Sequence, residues 1–294
     1  MRTIYLVDNG SLRPAATFNL RRTALLLGKR MGLTVTPASL LHSYKIPADD
    51  LEGIPAPTLA PCVTRDARAG ASEVVVVPFF FGPSKALTDY LPRRLGQIQQ
   101  EWPDLAIRVA APLVDLGGAV DLRLARILCD GVRECLKDDA TASVALVDHG
   151  SPIPEVTAVR NVLAGQLGAL LGNDVARLMP ASMERREGDS YRFNEPLLED
   201  LLDQPGFNAG RVILSMLFLS PGRHAGDEGD VHDICAAARQ RHPGLSTSMT
   251  RLAGEDPRVV DILADRLDDA LAGRRYLLDL SPDRRAPENQ PTGG

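Results

Sequence analysis

Val147-Asp148-His149-Gly150-Ser151 closes an apolar run that starts at Ser143 and is followed by Pro152, Pro154 and a helix-like segment from Glu155. That order reads as a strand, a tight turn and a helix, with His149 left at the carboxyl end of the strand. Nearly the same five residues stand near the start of the chain as Val7-Asp8-Asn9-Gly10-Ser11, with asparagine in place of histidine. An imidazole can bind a metal or move a proton near neutral pH, and the carboxamide lacks that chemistry.

Outward from this stretch, apolar runs alternate with amphipathic ones as far as about Leu271. Such alternation marks repeated βα units on parallel sheets. In the first half, strands are expected near 3–7, 33–36, 73–80 and 106–110, and helices near 14–31, 57–69, 85–101 and 119–136. Lys137 to Thr141 is short and polar, a linker. The plan then repeats, with strands near 143–148, 174–178, 211–219 and 245–249 and helices near 155–171, 194–203, 231–241 and 257–272. Pro37-Ala38-Ser39 matches Pro180-Ala181-Ser182, and Phe80-Phe81-Gly82-Pro83 matches Phe218-Leu219-Ser220-Pro221, each pair about 140 residues apart. That period is too long for a solenoid and right for a duplicated domain.

The expected architecture is therefore α/β, with two tandem doubly wound domains, each on a parallel four-stranded sheet, spanning 1–138 and 142–275. Asp256-Pro257 opens the last helix as N-cap and first helical residue, and Val260, Leu263, Leu267 and Leu271 mark its core face. Beyond Tyr276 the chain turns to Pro, Arg, Asn and Gly, so 276–294 is expected to be a disordered tail.

At 294 residues the chain exceeds one typical domain. A formal net charge of −5 offers no basic surface for nucleic acid. Met1 runs straight into a strand without a signal-peptide pattern, and no apolar run is long enough to span a bilayer. A cytoplasmic protein with neither nucleic acid nor membrane as partner is expected. Cys62, Cys129, Cys135 and Cys235 show no paired spacing of a zinc or iron–sulfur site and read as buried apolar residues.

Ligands of doubly wound sheets sit outside the carboxyl ends of the strands, where the winding reverses. With a strand order 2-1-3-4, the first and third strands of the second half are neighbours, and His149 and His224 follow them. Glu184, just beyond the second strand, shares that rim. Each residue alone also reads blandly, as a turn histidine or as a solvated carboxylate beside Arg185 and Arg186. Together, two imidazoles and a carboxylate suit divalent cobalt, iron, nickel or zinc, and the absence of thiolates argues against an iron–sulfur or copper(I) site. The acidic run after His224, from Asp227 to Asp233, can gather cations at the crevice mouth; its plain alternative is a helix entry with Asp230 as N-cap.

His-Gly-Ser after a first strand, with Gly222-Arg223-His224 and a trailing Asp233-Ile234 after the third, resembles the CbiX-type chelatases. These are sirohydrochlorin cobaltochelatases and their ferrochelatase relatives in the class II chelatase superfamily. The resemblance covers both halves in layout, but its motifs lie only in the second. It implies a chelatase-like fold and insertion of a divalent metal, Co2+ first and Fe2+ or Ni2+ as alternatives, into sirohydrochlorin or a related tetrapyrrole in cobalamin or siroheme biosynthesis. The metal is then a substrate, and no organic cofactor is expected. It implies His149, His224 and Glu184 around the metal, with Glu184 assisting removal of the pyrrole protons. Sirohydrochlorin carries many carboxylates, so Arg223, Arg185, Arg186, Arg160 and Lys85 become candidates for ion pairs, with Gly150 and Ser151 in the substrate-facing turn. In the first half, Asn9 and Ser84-Lys85-Ala86 stand where the family's histidine motifs would be, leaving a scaffold or a wall of the cleft. A monomer or homodimer is expected. Three other readings compete: a non-catalytic metal or tetrapyrrole carrier, a first half used for protein interaction, and a histidine phosphatase suggested by Arg223-His224-Ala225-Gly226. The last is disfavoured because that family's motif follows a first strand.

Overall fold

The structure, a computed structural model, describes residues 1–136, 141–226 and 229–282. Most of the expected linker, part of the acidic run after His224 and the tail beyond 282 lie outside the described residues. The first half builds β1 (Arg2–Asp8), α1 (Pro14–Met31), β2 (Thr36–Ser39), α2 (Leu59–Arg68), β3 (Glu73–Pro78), α3 (Leu91–Glu101), β4 (Ala106–Val109) and α4 (Arg123–Leu136). The second half repeats the order as β5 (Ser143–Asp148), α5 (Pro154–Leu171), β6 (Arg177–Ser182), α6 (Leu198–Leu201), β7 (Gly210–Met216), α7 (Asp230–Arg241), β8 (Leu245–Met249) and α8 (Val259–Leu271), and β9 (Leu278–Asp279) follows.

Four consecutive valines, Val74 to Val77, are fully buried in β3, as a strand covered by helices on both faces requires. The sheets run β2-β1-β3-β4-β9 and β6-β5-β7-β8, so both have the expected 2-1-3-4 winding. Their registers correspond: Asp8 pairs with Ser39 in one and Asp148 with Ser182 in the other. The carboxyl ends of β1, β3, β5 and β7 are thereby placed at two equivalent reversal points.

The structure corrects four expectations. The first sheet has five strands, because β9 pairs antiparallel with β4. Leu277, Leu278 and Leu280 pack on the first half's outer core, and the backbone N–H groups of Leu277 and Leu280 donate to Val109 and Ile107. These three leucines give 277–280 the apolar surface that the rest of the tail lacks. The second strand of each half lies later than expected and runs through Pro37 and Pro180, which are tolerated because β2 and β6 are edge strands. Instead of a helix at 194–203 there is a 3-10 segment, Asp189–Asn194, and then the single turn α6 beyond Pro196. Finally, Asp256 accepts a hydrogen bond from the Arg258 N–H at 2.9 Å, and the α-helix begins only at Val259.

Sequence order and packing order differ at the last helix of each half. Helix α4 lies against α5 and β7 of the second sheet, and α8 lies against α1 and β3 of the first. One continuous core therefore joins Leu6 and Val75 of the first sheet, Leu146 and Ile213 of the second, and Leu128 and Leu263 of the exchanged helices. Leu124, Ile127, Leu128, Val132 and Leu136 of α4 are all buried. At about 1.5–3 kcal/mol per buried side chain they contribute on the order of 10 kcal/mol, comparable to the net stability of a whole domain. No described helix is long and apolar enough to cross a membrane.

A fragment of residues 141–275 would therefore lack the helix that covers β7 and would carry α8 without its sheet. It is expected to show no cooperative thermal transition by circular dichroism, whereas the full chain melts cooperatively.

Candidate metal centre

The His149 turn is set by a close approach of backbone. Gly150 has φ +94°, and a Cβ there would collide with the Glu184 carbonyl oxygen. Glu184 N–H donates to His149 O at 3.2 Å, and Met183 N–H to Asp148 O at 2.8 Å. The first half has the same turn: Gly10 has φ +90°, the Leu41 carbonyl fills the place of its Cβ, and Leu41 N–H donates to Asn9 O at 3.1 Å. Leu41, rather than the neighbouring His42, is thus the counterpart of Glu184.

On this frame His149 meets each of its two expected companions. His149 Nε2 lies 2.9 Å from Glu184 Oε1, and the His149 and His224 rings stack with centroids 4.4 Å apart and planes 23° from parallel. His224 Nδ1 lies 2.7 Å from Asp230 Oδ2. Each carboxylate, as an acceptor, fixes the proton of a neutral imidazole on the nitrogen facing it. The lone pairs then fall on Nδ1 of His149 and Nε2 of His224. Two stacked imidazoles with defined lone pairs can receive a cation, and the His149 and Glu184 side chains are 49% and 61% exposed, so the way in is open. Among the described residues, no three His, Cys, Asp or Glu side chains already surround one point: the two carboxylates engage the imidazoles directly.

Asp230 is the partner that sequence reading misplaced. Gly229 occupies the N-cap of α7, and the Asp230 carboxylate turns back to His224 and, at 3.7 Å, to Arg223 Nε. The loop that permits this is pinned at its neck, where Asp230 N–H donates to Arg223 O and Val231 N–H to His224 O, both at 3.2 Å. The spacing of six residues between His224 and an acid at a helix start was the available signal.

His149 opens onto a cleft of about 410 Å³ between the halves, into which Gly150, Ser151, Asn9 and Lys85 also face. Its walls are apolar, with Phe80 and Phe81 from the first half and Phe218 and Leu219 from the second. Each half braces the other's wall. Asn19 of α1 donates to Leu219 O at 2.8 Å and to Ser220 Oγ at 2.9 Å, and Val159 of α5 packs on Gly82.

The remaining cations sort clearly. Arg223 is exposed, and Arg186 lies on the surface near the site. Arg185 is tied to Glu195 at 3.1 Å and to the carbonyls of Arg186 and Gly188. Arg160 is fully buried and its guanidinium donates to Ser182 and Asn194, contrary to expectation. The Ser151 hydroxyl accepts from Ile153 N–H at 3.1 Å and so serves the turn.

Behind each turn lies an aspartate. Burial pushes the Asp148 carboxyl up, opposed by Arg160 at 3.7 Å and by the Ser182 hydroxyl, which donates at 2.6 Å. Burial pushes Asp8 up to about 6, opposed by the Ser39 hydroxyl and the Gly10 N–H. Leu20 stands on α1 where α5 has Arg160, twelve residues beyond the aspartate in each case.

Two wound α/β halves with exchanged helices, and a histidine pair at the reversal point of one half, make up a chelatase-like fold. Residues 143–270 match the CbiX family model. No curated protein matches the chain by sequence. Among solved structures, SirB from Bacillus subtilis with Fe3+ superimposes with TM-score 0.67 at 13% identity, covering 94% of this chain and 99% of that one. The sirohydrochlorin chelatase SirB from Bacillus subtilis subspecies spizizenii, in complex with cobalt, gives 0.66 at 14% identity, covering 94% and 99%. CbiX, described as the terminal enzyme for siroheme biosynthesis in denitrifying bacteria, gives 0.54 at 16% identity, covering 92% and 98%. The resemblance read from the two motifs thus holds in sequence for the second half and in fold for both.

Asp8 gives a stability test. Its folded-state value lies above that of an unfolded aspartate, so the associated stability is present below about pH 4 and is lost as pH rises to about 6. The loss amounts to up to about 3 kcal/mol, at roughly 1.4 kcal/mol per pH unit. Asp8→Asn is expected to melt increasingly above the parent between pH 4 and 6 and to keep a constant advantage beyond, as measured by thermal denaturation. Asp148 is common to both proteins and cancels.

Proposed function

We propose that this chain is a metal chelatase that inserts a divalent ion into sirohydrochlorin or a closely related tetrapyrrole, at a single site in its second half. The observation that carries the reading is the stacked His149–His224 pair, whose lone pairs are set by Glu184 and Asp230 and of which His149 lines a two-walled apolar cleft. The match of residues 143–270 to CbiX supports it.

Metal and macrocycle are both substrates. The imidazole nitrogens of His149 and His224 hold the incoming ion beside the macrocycle, and the exposed Glu184 carboxylate passes the two pyrrole protons in turn to solvent as the metal–nitrogen bonds form. The phenylalanine walls take the flat ring, excluding water from the reacting nitrogens. Lys85, on the first-half wall, meets a peripheral carboxylate, and Gly150 and Ser151 supply the floor of the turn. Arg223 and, less directly, Arg185 add positive potential at the mouth. The borderline donor set accepts Co2+, Fe2+ or Ni2+, and we take Co2+ as the first candidate. Both cleft walls come from one chain, so a monomer suffices. The place of action is proposed to be the cytoplasm.

The test follows the absorption of sirohydrochlorin mixed with the protein and Co(II), Fe(II) or Ni(II). His149→Ala and His224→Ala are expected to lose about 100-fold or more in insertion rate, and Glu184→Gln about 100-fold, at the lower end of the usual worth of a general base. Both histidine variants inserting metal at the parental rate would refute the site. Sirohydrochlorin binding by a parent that inserts none of the three metals would make the protein a carrier.

A further inference from the structure

Behind the His149 turn lies a buried polar assembly that the proposed chemistry does not itself use. Asn194 has every hydrogen-bonding position filled. Its Oδ1 accepts from Ser151 N–H at 2.9 Å and from Thr157 Oγ1 at 3.1 Å, and its Nδ2 donates to Ser151 O at 2.9 Å and to Tyr191 O at 3.0 Å. An amide has two lone pairs and two protons, and all four are engaged. Arg160 Nη1 donates to Asn194 O at 2.8 Å and to Ser182 Oγ at 2.6 Å, and Ser182 Oγ donates to Asp148 Oδ1. Residue 151 lies two beyond His149, and residue 182 two before Glu184. The assembly grips the backbone on both sides of the pair.

The first half shows that the turn does not need this grip. Its glycine has nearly the same φ, and its cross-strand backbone hydrogen bonds have nearly the same lengths. Ser39 N–H donates to Pro57 O as Ser182 N–H donates to Pro196 O, so counting back two residues places Pro55 at the position of Asn194. Leu20 holds the position of Arg160. The half that has Asn9 and Leu41 in place of His149 and Glu184 therefore also has leucine and proline in place of Arg160 and Asn194, and it folds into the same turn. Burying a guanidinium is unfavourable unless its bonds are satisfied, so its presence only where the imidazole and carboxylate stand requires a reason beyond the fold.

We infer that Arg160 and Asn194 are positioning residues, which hold His149 and Glu184 in the hydrogen-bonded arrangement that aims the imidazole at the metal ion. This rests on the metal site proposed above. Rigid support behind metal ligands typically changes affinity or activity by about 10- to 100-fold when removed.

The experiment uses the full chain and two readouts, Co(II) titration by visible absorption and steady-state insertion into sirohydrochlorin, on Arg160→Leu and Asn194→Asp. The second variant keeps the side chain's shape but cannot donate to the two carbonyls, and it serves if the first fails to fold. Circular dichroism and melting identify the folded variants. The expected result is Co(II) affinity weaker by about 10-fold or more and kcat lowered similarly, with KM for sirohydrochlorin unchanged because the cleft walls are intact. Partial recovery in Arg160→Lys is also expected. Folded variants with parental Co(II) affinity and kcat would overturn the inference, as would a rise in KM alone. A parent that neither binds Co(II) through His149 nor inserts it would sink the proposed function itself, which separates the two failures.

Discussion

The pass of the Glu184 backbone over Gly150 is the contact on which the site depends. With no side chain at residue 150, the strand end carrying His149 and the loop carrying Glu184 come close enough for a direct side-chain hydrogen bond. The same pass occurs at Gly10, where it brings together asparagine and leucine. Backbone geometry is thus shared by both halves, and chemistry is decided by which side chains occupy it.

The second constraint is the exchange of α4 and α8. It fuses the inner faces of both sheets into one core and leaves two smaller cores on the outer faces. The cleft above the reversal points is therefore bounded by walls whose spacing is set by packed helices. Asn19 and Val159 extend that bracing to the cleft loops. An apolar crevice with Lys85 on one side and His149 on the other results from two copies of one fold whose side chains have diverged.

Much of this was legible in the sequence. The alternation of apolar and amphipathic runs locates most elements, and the winding order by itself places His149 and His224 on one rim. Glu184 follows from its position after the second strand, and its counterpart Leu41 from the Pro-Ala-Ser match, each standing two residues beyond the serine. Periodicity tells which face of a helix is buried but not against which sheet, so the exchange of α4 and α8 was invisible. An arginine on α5 reads as a solvated or substrate-facing charge, and its full burial follows only from Ser182, Asn194 and Asp148 converging on it. Leu277, Leu278 and Leu280 were lost among the polar residues that surround them.

The helix exchange also orders the events of folding. The second sheet receives its covering helix from residues made before it, so it can close as soon as its own strands are complete. The first sheet is synthesised earliest, yet one face is covered only by α1 until Val259–Leu271 arrives over β3. The half without the histidine pair is thus the last to finish, and its edge is sealed by β9 later still. Exposed apolar sheet in the interval is the kind of surface that chaperones bind and that aggregates when left waiting.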